Sequence, residues 1–282
     1  MTDTYQSLRA EFRSIIEKNL ASDFELGRVQ LKPFRRSVYK NKASLVFYKY
    51  MIADYYSIRN IETDTLVLVN PVRFNDVFEG IPYFIDDDDL RKSDIIRDSA
   101  VITCFCEEGN DLLMFAHYAQ SFTGMCVQYD FGLLDESSSV LSNLFPVLYE
   151  KEPSKLKGID RLAEIIDLHY TALRNGNLSL HKLTDIISYF IHKPDVWAYE
   201  NEWRIIIPAG VLDGAKKDIH FVRNFDCIKK VFLGYRMDKV KREHVLEIIS
   251  KKNESRLDDN RIEVYDTNLG GNSYSLITNK VL

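Results

Sequence analysis

Apolar residues recur at Leu8, Phe12, Ile15, Ile16 and Leu20, a spacing that predicts an amphipathic helix over residues 5–20. Residues 21–43 are polar, contain Pro33 and read as a connection. Ser44 to Tyr50 is mixed in pattern, whereas Thr65 to Val69 predicts a strand closed by Asn70-Pro71. Arg73 to Gly80 reads as a loop. The four-carboxylate run Asp86 to Asp89 precedes a helical pattern from Leu90 to Asp98, and such a run suits a solvated face at a helix N-terminus.

Beyond it, Val101 to Cys106, Gly124 to Asp130 and Pro146 to Tyr149 read as strands, with a helix over Asn110 to Gln120. Two helical patterns, Ile159 to Leu173 and Leu178 to His192, are separated by the break Asn175-Gly176-Asn177. The run Ile205-Ile206-Ile207, stopped by Pro208, predicts a short buried strand. If that strand starts by Glu200, then Glu200 and Glu202 project from one face, because strand side chains repeat every second residue. His220 to Val222 and Lys230 to Gly234 follow, then a helix from Asp238 to Lys251 and strands near Ile262 to Tyr265 and Tyr274 to Ile277. Strands and helices do not alternate regularly, which predicts an α+β fold rather than a doubly wound one. The expectation is a single domain over 1–282 with a mixed, mainly antiparallel sheet and flanking helices. Within it, 1–43 holds the N-terminal helix and connection, and 155–193 is a helical insertion.

The 282 residues suffice for a sizeable core, and 45% hydrophobic with 28% charged residues is ordinary for a globular chain. A formal charge of −5 argues against a broadly basic nucleic-acid binder. No apolar run approaches the roughly 20 residues that span a bilayer, so no membrane association is expected. The sequence MTDTYQSLRAEF lacks a basic stretch followed by an apolar one, and the four cysteines lack framework spacing. Both point to a cytoplasmic protein with free thiols. The oligomeric state is not legible.

An acidic pair at the mouth of a buried strand is costly unless charges or ligands compensate it, which makes Trp197 to Ile207 the leading site candidate. The bland alternative has Glu202 bridging Arg204 or Lys193 in a structural ion pair. Cys104 and Cys106 would share a strand face, but Cys126, Cys227 and the six histidines offer no CxxC or HxxxH pattern, so core thiols are expected and no metal. Asn75-Asp76 suits a turn. His117 suits either a structural hydrogen bond or a site. No P-loop, GxGxxG, GxSxG or HExxH occurs. Pro194-Asp195 followed by Glu202-Trp203-Arg204 loosely mimics the pattern of a metal-dependent nuclease, with arginine where a lysine would activate water.

Taken in order, six segments resemble the bacterial and phage family called domain of unknown function 2971. They are Tyr48-Lys49-Tyr50, Phe74 to Glu79, Cys104-Phe105-Cys106, Met114 to Ala119, Gly124 to Tyr129, and Trp197 to Arg204. Against the family pattern Val77 replaces a proline, Phe115 a tryptophan, and the cysteines replace serines, removing hydroxyls that would orient a carboxylate. A more distant similarity is to ADP-ribosyltransferases, whose catalytic strand carries E-x-E and whose earlier strand carries an S-T-S-like segment. Glu200-Asn201-Glu202 is similar to the first and Thr103 to Cys106 to the second, with Lys49 or Tyr50 standing in for a first-strand arginine or histidine.

This similarity implies an enzyme that cleaves the nicotinamide–ribose bond of NAD, and the resemblance to the bacterial and phage family implies a toxin or effector in conflict between bacteria and phages. Glu202 would face the developing charge and Glu200 would act on the acceptor, a protein or nucleic acid. Tyr48, Tyr50 or Trp197 would stack on the bases and Arg73 would pair with pyrophosphate. Lys49, Asn75, His117 and Tyr118 complete the expected NAD-binding set. The competing expectations are a non-catalytic nucleotide-sensing or interaction module and the metal-dependent nuclease.

Overall fold

The computed structural model describes residues 2–21, 31–76, 78, 97, 98, 100–135, 138–152, 187, 190–208 and 219–282. In chain order its elements are α1 (Thr2–Ala21), α2 (Lys32–Asn41), β1 (Val46–Met51), α3 (Tyr55–Glu62), β2 (Leu66–Val69), β3 (Ala100–Phe105), α4 (Leu112–Tyr118), β4 (Met125–Asp130) and α5 (Ser139–Ser142). They continue with β5 (Leu144–Pro146), β6 (Leu148–Glu150), β7 (His192–Pro194), β8 (Trp203–Pro208), β9 (Ile219–Val222), β10 (Ile228–Leu233), α6 (Lys239–Glu254), β11 (Glu263–Leu269) and β12 (Leu276–Lys280). The chain divides into two compact units. One comprises Met1–Asn41, Leu68–Cys104 and Glu136–His220; the other comprises Lys42–Val67, Phe105–Asp135 and Phe221–Leu282.

In the first unit, the apolar stripe of α1 buries Leu8, Phe12 and Ile16. Phe12 lies 4.8 Å from Phe34 of α2 and 5.8 Å from Phe145 of β5, ring centre to ring centre. The stretch 21–43 is therefore not only a connection, since it contains α2. Pro33 is tolerated because it sits in the first helical turn, where its missing N–H is not needed. Phe34 and Val38, four apart, form the narrow buried stripe of this otherwise polar helix. The main sheet has the order β5-β8-β3-β2-β9, and β6 and β7 form a separate parallel pair.

Two strand expectations change. Pro146 to Tyr149 is not one strand: the chain leaves β5 at Pro146, crosses Val147, and pairs again as β6. His192 does not end a helix but opens β7. The Asp86 to Asp89 run, most of the helical pattern after it, and most of the 155–193 insertion lie outside the described residues.

The second unit is built on a sheet of order β1-β4-β10-β11-β12. Its pairs are antiparallel except β10 with β11, a parallel pair that requires a crossover, which α6 supplies. Asp238 caps α6 by accepting from the amides of Val240 and Lys241, while Val245 and Ile249 bury its inner face. Phe47, Phe105, Tyr129, Phe131 and Phe225 form an aromatic core with mostly edge-on contacts. Helices with mixed, mostly antiparallel sheets make the fold α+β, as the lack of strand–helix alternation predicts. Among the described residues no helix is long and apolar enough to cross a membrane.

Candidate functional site

The segment between β7 and β8 determines where the acidic pair points. After Pro194 the chain forms a 3-10 turn over Asp195–Glu200, and Asn201 then adopts a left-handed conformation at φ 45°. Asparagine enters that region more readily than other side-chain-bearing residues. Glu200 thus ends a turn and is not on the strand, which begins at Trp203. The shared-face expectation for Glu200 and Glu202 fails for that reason, yet the turn brings both carboxylates to one partner.

That partner is Lys193 of β7. Its Nζ lies 2.6 Å from Glu200 Oε2 and 3.2 Å from Glu202 Oε2, and 4.8 Å from the centre of the Trp197 ring. Arg204 of β8 grips Glu202 with both arms, Nε to Oε1 at 2.7 Å and Nη2 to Oε2 at 3.0 Å. Its remaining arm donates to the Phe190 carbonyl at 2.6 Å. The Cys104 thiol of β3 also donates to the Glu202 carboxylate. A carboxylate has about four acceptor positions. Those of Glu202 are taken by two bonds from Arg204 and one each from Lys193 and Cys104.

All four charged residues are buried, with Arg204 at 0% exposure and Glu202 at 4%. Burial alone raises a carboxyl pKa, but Arg204 and Lys193, with the hydrogen bonds from Arg204 and Cys104, hold Glu202 well below the usual carboxylate range. Burial and Arg204 depress the Lys193 ammonium, and Glu202 and Glu200 more than restore it, leaving it above its ordinary value. Two acidic and two basic side chains thus meet in this cluster.

Backbone contacts lock the cluster. The Glu202 amide donates to the Tyr149 hydroxyl at 2.8 Å, and Arg9 of α1 donates to the Glu202 carbonyl at 3.1 Å and to the Val147 carbonyl at 2.9 Å. The Arg9 guanidinium also lies 5.3 Å from the centre of the Trp203 ring. Phe74, which opens the Phe74 to Glu79 sequence segment, places its ring 5.9 Å from the Arg204 guanidinium. Three of the six sequence segments thus converge here, contributing Phe74, Cys104, and Trp197 to Arg204. Arg73 and Asn75 are exposed, and the neighbouring buried Asp76 accepts from the Phe78 amide at 3.0 Å, a side-chain turn.

Lys193 and Arg204 were legible as ion-pair partners for Glu202, whereas Arg9, Tyr149 and Cys104 were not recognised as such. For Cys104 the correction is chemical: cysteine in place of serine keeps a donor to the carboxylate. The other three thiols, Cys106, Cys126 and Cys227, are buried. Burial raises the pKa of Cys126 and Cys227 well above the usual thiol range, which keeps them protonated core groups.

Tyr48, Lys49, Tyr50, His117 and Tyr118 belong to the second unit. There the Tyr50 ring stands edge-on to Phe115 at 4.9 Å, while its hydroxyl donates to the Glu108 carbonyl at 3.1 Å and accepts from the Asp111 amide at 3.0 Å. The Tyr48 hydroxyl accepts from Gln128 at 2.6 Å. Its ring covers Gly109, where an added Cβ would come within 2.3 Å of the ring. The Cys106 thiol lies 3.4 Å from the Tyr48 carbonyl and 3.2 Å from that of Glu108. Asp111 caps α4 by accepting from the Met114 amide at 2.8 Å.

These residues shape the 106–111 loop and seat α4. Lys49 lies 5.6 Å from the Phe105 ring centre, and His117 is exposed in the last turn of α4 beside Tyr118. Tyr50→Phe is expected to leave the Glu108 carbonyl and Asp111 amide without this partner. The cost should be about 1–3 kcal/mol, read as a lower midpoint in urea with unchanged m.

Residues 114–205 match the family model described as Protein of unknown function (DUF2971). No curated protein and no solved structure matches the chain. The DUF2971 match runs from α4 through β4 to the Ile205 of β8, and so includes Lys193, Glu200, Glu202 and Arg204. The Tyr48-Lys49-Tyr50, Phe74 and Cys104 segments precede it. Its description assigns no activity.

Proposed function

We propose that this chain is an ADP-ribosyltransferase-like enzyme that cleaves the nicotinamide–ribose bond of NAD. Glu202 is the carboxylate that faces the positive charge developing on the ribose, as in other oxocarbenium-like cleavages. Glu200 orients the acceptor nucleophile and takes its proton. The carbon–nitrogen bond breaks with its electron pair leaving on nicotinamide, the acceptor bonds to the ribose carbon, and the acceptor's proton passes to Glu200. One observation carries the reading: β3 lies beside β8, and Cys104 from the S-T-S-like segment donates to Glu202 of the E-x-E-like segment. Ionisation of Glu202, enforced by Arg204, supplies the charge state the role needs.

The test is nicotinamide release from NAD by the purified protein, followed by mass spectrometry with its own chain, DNA, RNA or a cell lysate as acceptor. Release is expected from the native chain and at least about a hundredfold less from Glu202→Gln, as when one preorganised charge interaction is removed. No release with any acceptor, from folded native protein and folded Lys193→Met alike, overturns the reading. The second reading, a non-catalytic interaction module, is favoured by the filled acceptor positions of Glu202. It predicts no release and loss of folded protein, rather than loss of turnover, in Glu202→Gln.

A further inference from the structure

We infer that Lys193 is an internal blocking cation, seated between Glu200 and Glu202 in the position that a ligand's positive charge and hydroxyl would otherwise take. Its activity arm rests on the NAD reading; the cation seat does not. The seat is defined on three sides: Glu200 Oε2 at 2.6 Å, Glu202 Oε2 at 3.2 Å and the Trp197 ring at 4.8 Å. Two carboxylates and an aromatic face are what would hold a flat, positively charged group. Lys193 fills that place with its own side chain, which is 5% exposed.

The occupancy also explains why Glu202 has no acceptor position to spare. Arg204 and Cys104 account for three of its four bonds, and Lys193 supplies the fourth. Withdrawal of Lys193 frees one position on Oε2 for a hydroxyl, while Arg204 keeps the carboxylate ionised and in place. It also removes one positive charge from beside the two carboxylates, which favours a cationic ligand or transition state.

Lys193 and the clamp on Glu202 sit on different strands. Lys193 is on β7, which pairs with β6 through Leu148↔His192, Tyr149↔Lys193 and Glu150↔Pro194. Arg204, by contrast, sits on β8 with a strand on either side.

The experiment uses the full chain with Lys193→Ala and Lys193→Met, the latter keeping the side-chain volume. Methylammonium chloride is compared with sodium chloride at equal ionic strength. Methylammonium is expected to raise the Tm of Lys193→Ala beyond the sodium chloride control and to leave the native protein unchanged. If Lys193→Ala does not fold alone, recovery of folded protein on refolding with methylammonium is the same readout. Nicotinamide release from both variants is expected to exceed the native rate by about tenfold or more, as removal of a dominant closed state requires, and methylammonium should suppress the gain in Lys193→Ala.

A methylammonium effect no larger than that of sodium chloride overturns the seat. Equal release from native protein and Lys193→Met overturns the blocking role and leaves the NAD reading standing. Methylammonium rescue with no release from any variant supports the seat and overturns the NAD reading.

Discussion

Arg204→Met is expected to destabilise the protein by about 3–5 kcal/mol, the range for breaking a buried ion pair by removing one partner. Arg204 is fully buried, donates twice to Glu202, and satisfies the Phe190 carbonyl. Methionine fills much of its volume and replaces none of these bonds. The loss falls on ionised Glu202, which keeps Lys193 and Cys104 but loses its largest source of compensation.

The pH dependence has a definite sign. Glu202 is depressed in the folded protein, so its contribution is fully present above the unfolded carboxyl value of about 4.3 and is lost as pH falls from there toward the folded value. Urea unfolding of native protein should therefore weaken below about pH 4. Glu202→Gln should be less stable at neutral pH, with a flatter acid limb. A change under 1 kcal/mol in Arg204→Met at neutral pH would show that the cluster reorganises freely.

Gly124→Ala carries the second large effect, in the second unit. A Cβ there would lie 2.3 Å from the Met51 carbonyl oxygen and 3.0 Å from that of Ala119. Both obstacles are backbone, so no side chain can rotate away. Met51 closes the β1–β4 register opposite Met125, and the Gly124 carbonyl accepts from the Gly234 amide at 2.9 Å. The same crowding recurs at Gly234, whose Cβ would meet the Phe122 carbonyl oxygen at 2.2 Å. The expected cost of Gly124→Ala is about 3 kcal/mol, measured by urea denaturation. Gly271→Ala is the control: nothing lies within 4 Å of its Cβ, and a change within about 0.5 kcal/mol is expected.

The parts legible in the sequence are those set by local pattern. The stripe Leu8, Phe12, Ile16 predicts α1, and Asp238 ahead of a helical run predicts the start of α6. α2 escaped because its stripe is only Phe34 and Val38 among seven polar or charged residues and a proline. The Glu200–Glu202 geometry escaped for a different reason. A two-residue spacing implies a shared face only along an extended chain, and the left-handed Asn201 breaks that premise. Lys193 is legible as a partner for Glu202 but not as one shared with Glu200, and Cys104 reaches Glu202 through strand adjacency alone. The pairing of Glu202 with Arg204 was readable because both lie two apart in extended chain beside an apolar run.

The two compact units have a consequence for how this sequence can be cut. The chain passes from one unit to the other five times, at 41/42, 67/68, 104/105, 135/136 and 220/221. The DUF2971 match therefore begins in one unit and ends in the other. A polypeptide limited to residues 114–205 would contain β4 without either of its neighbours, β1 and β10, and β8 without β3. Its carboxylate Glu202 would be parted from Cys104, and Arg9 would be gone from the backbone that holds it. The stretch that matches the family model is threaded through two compact units, and it cannot be excised as a minimal domain.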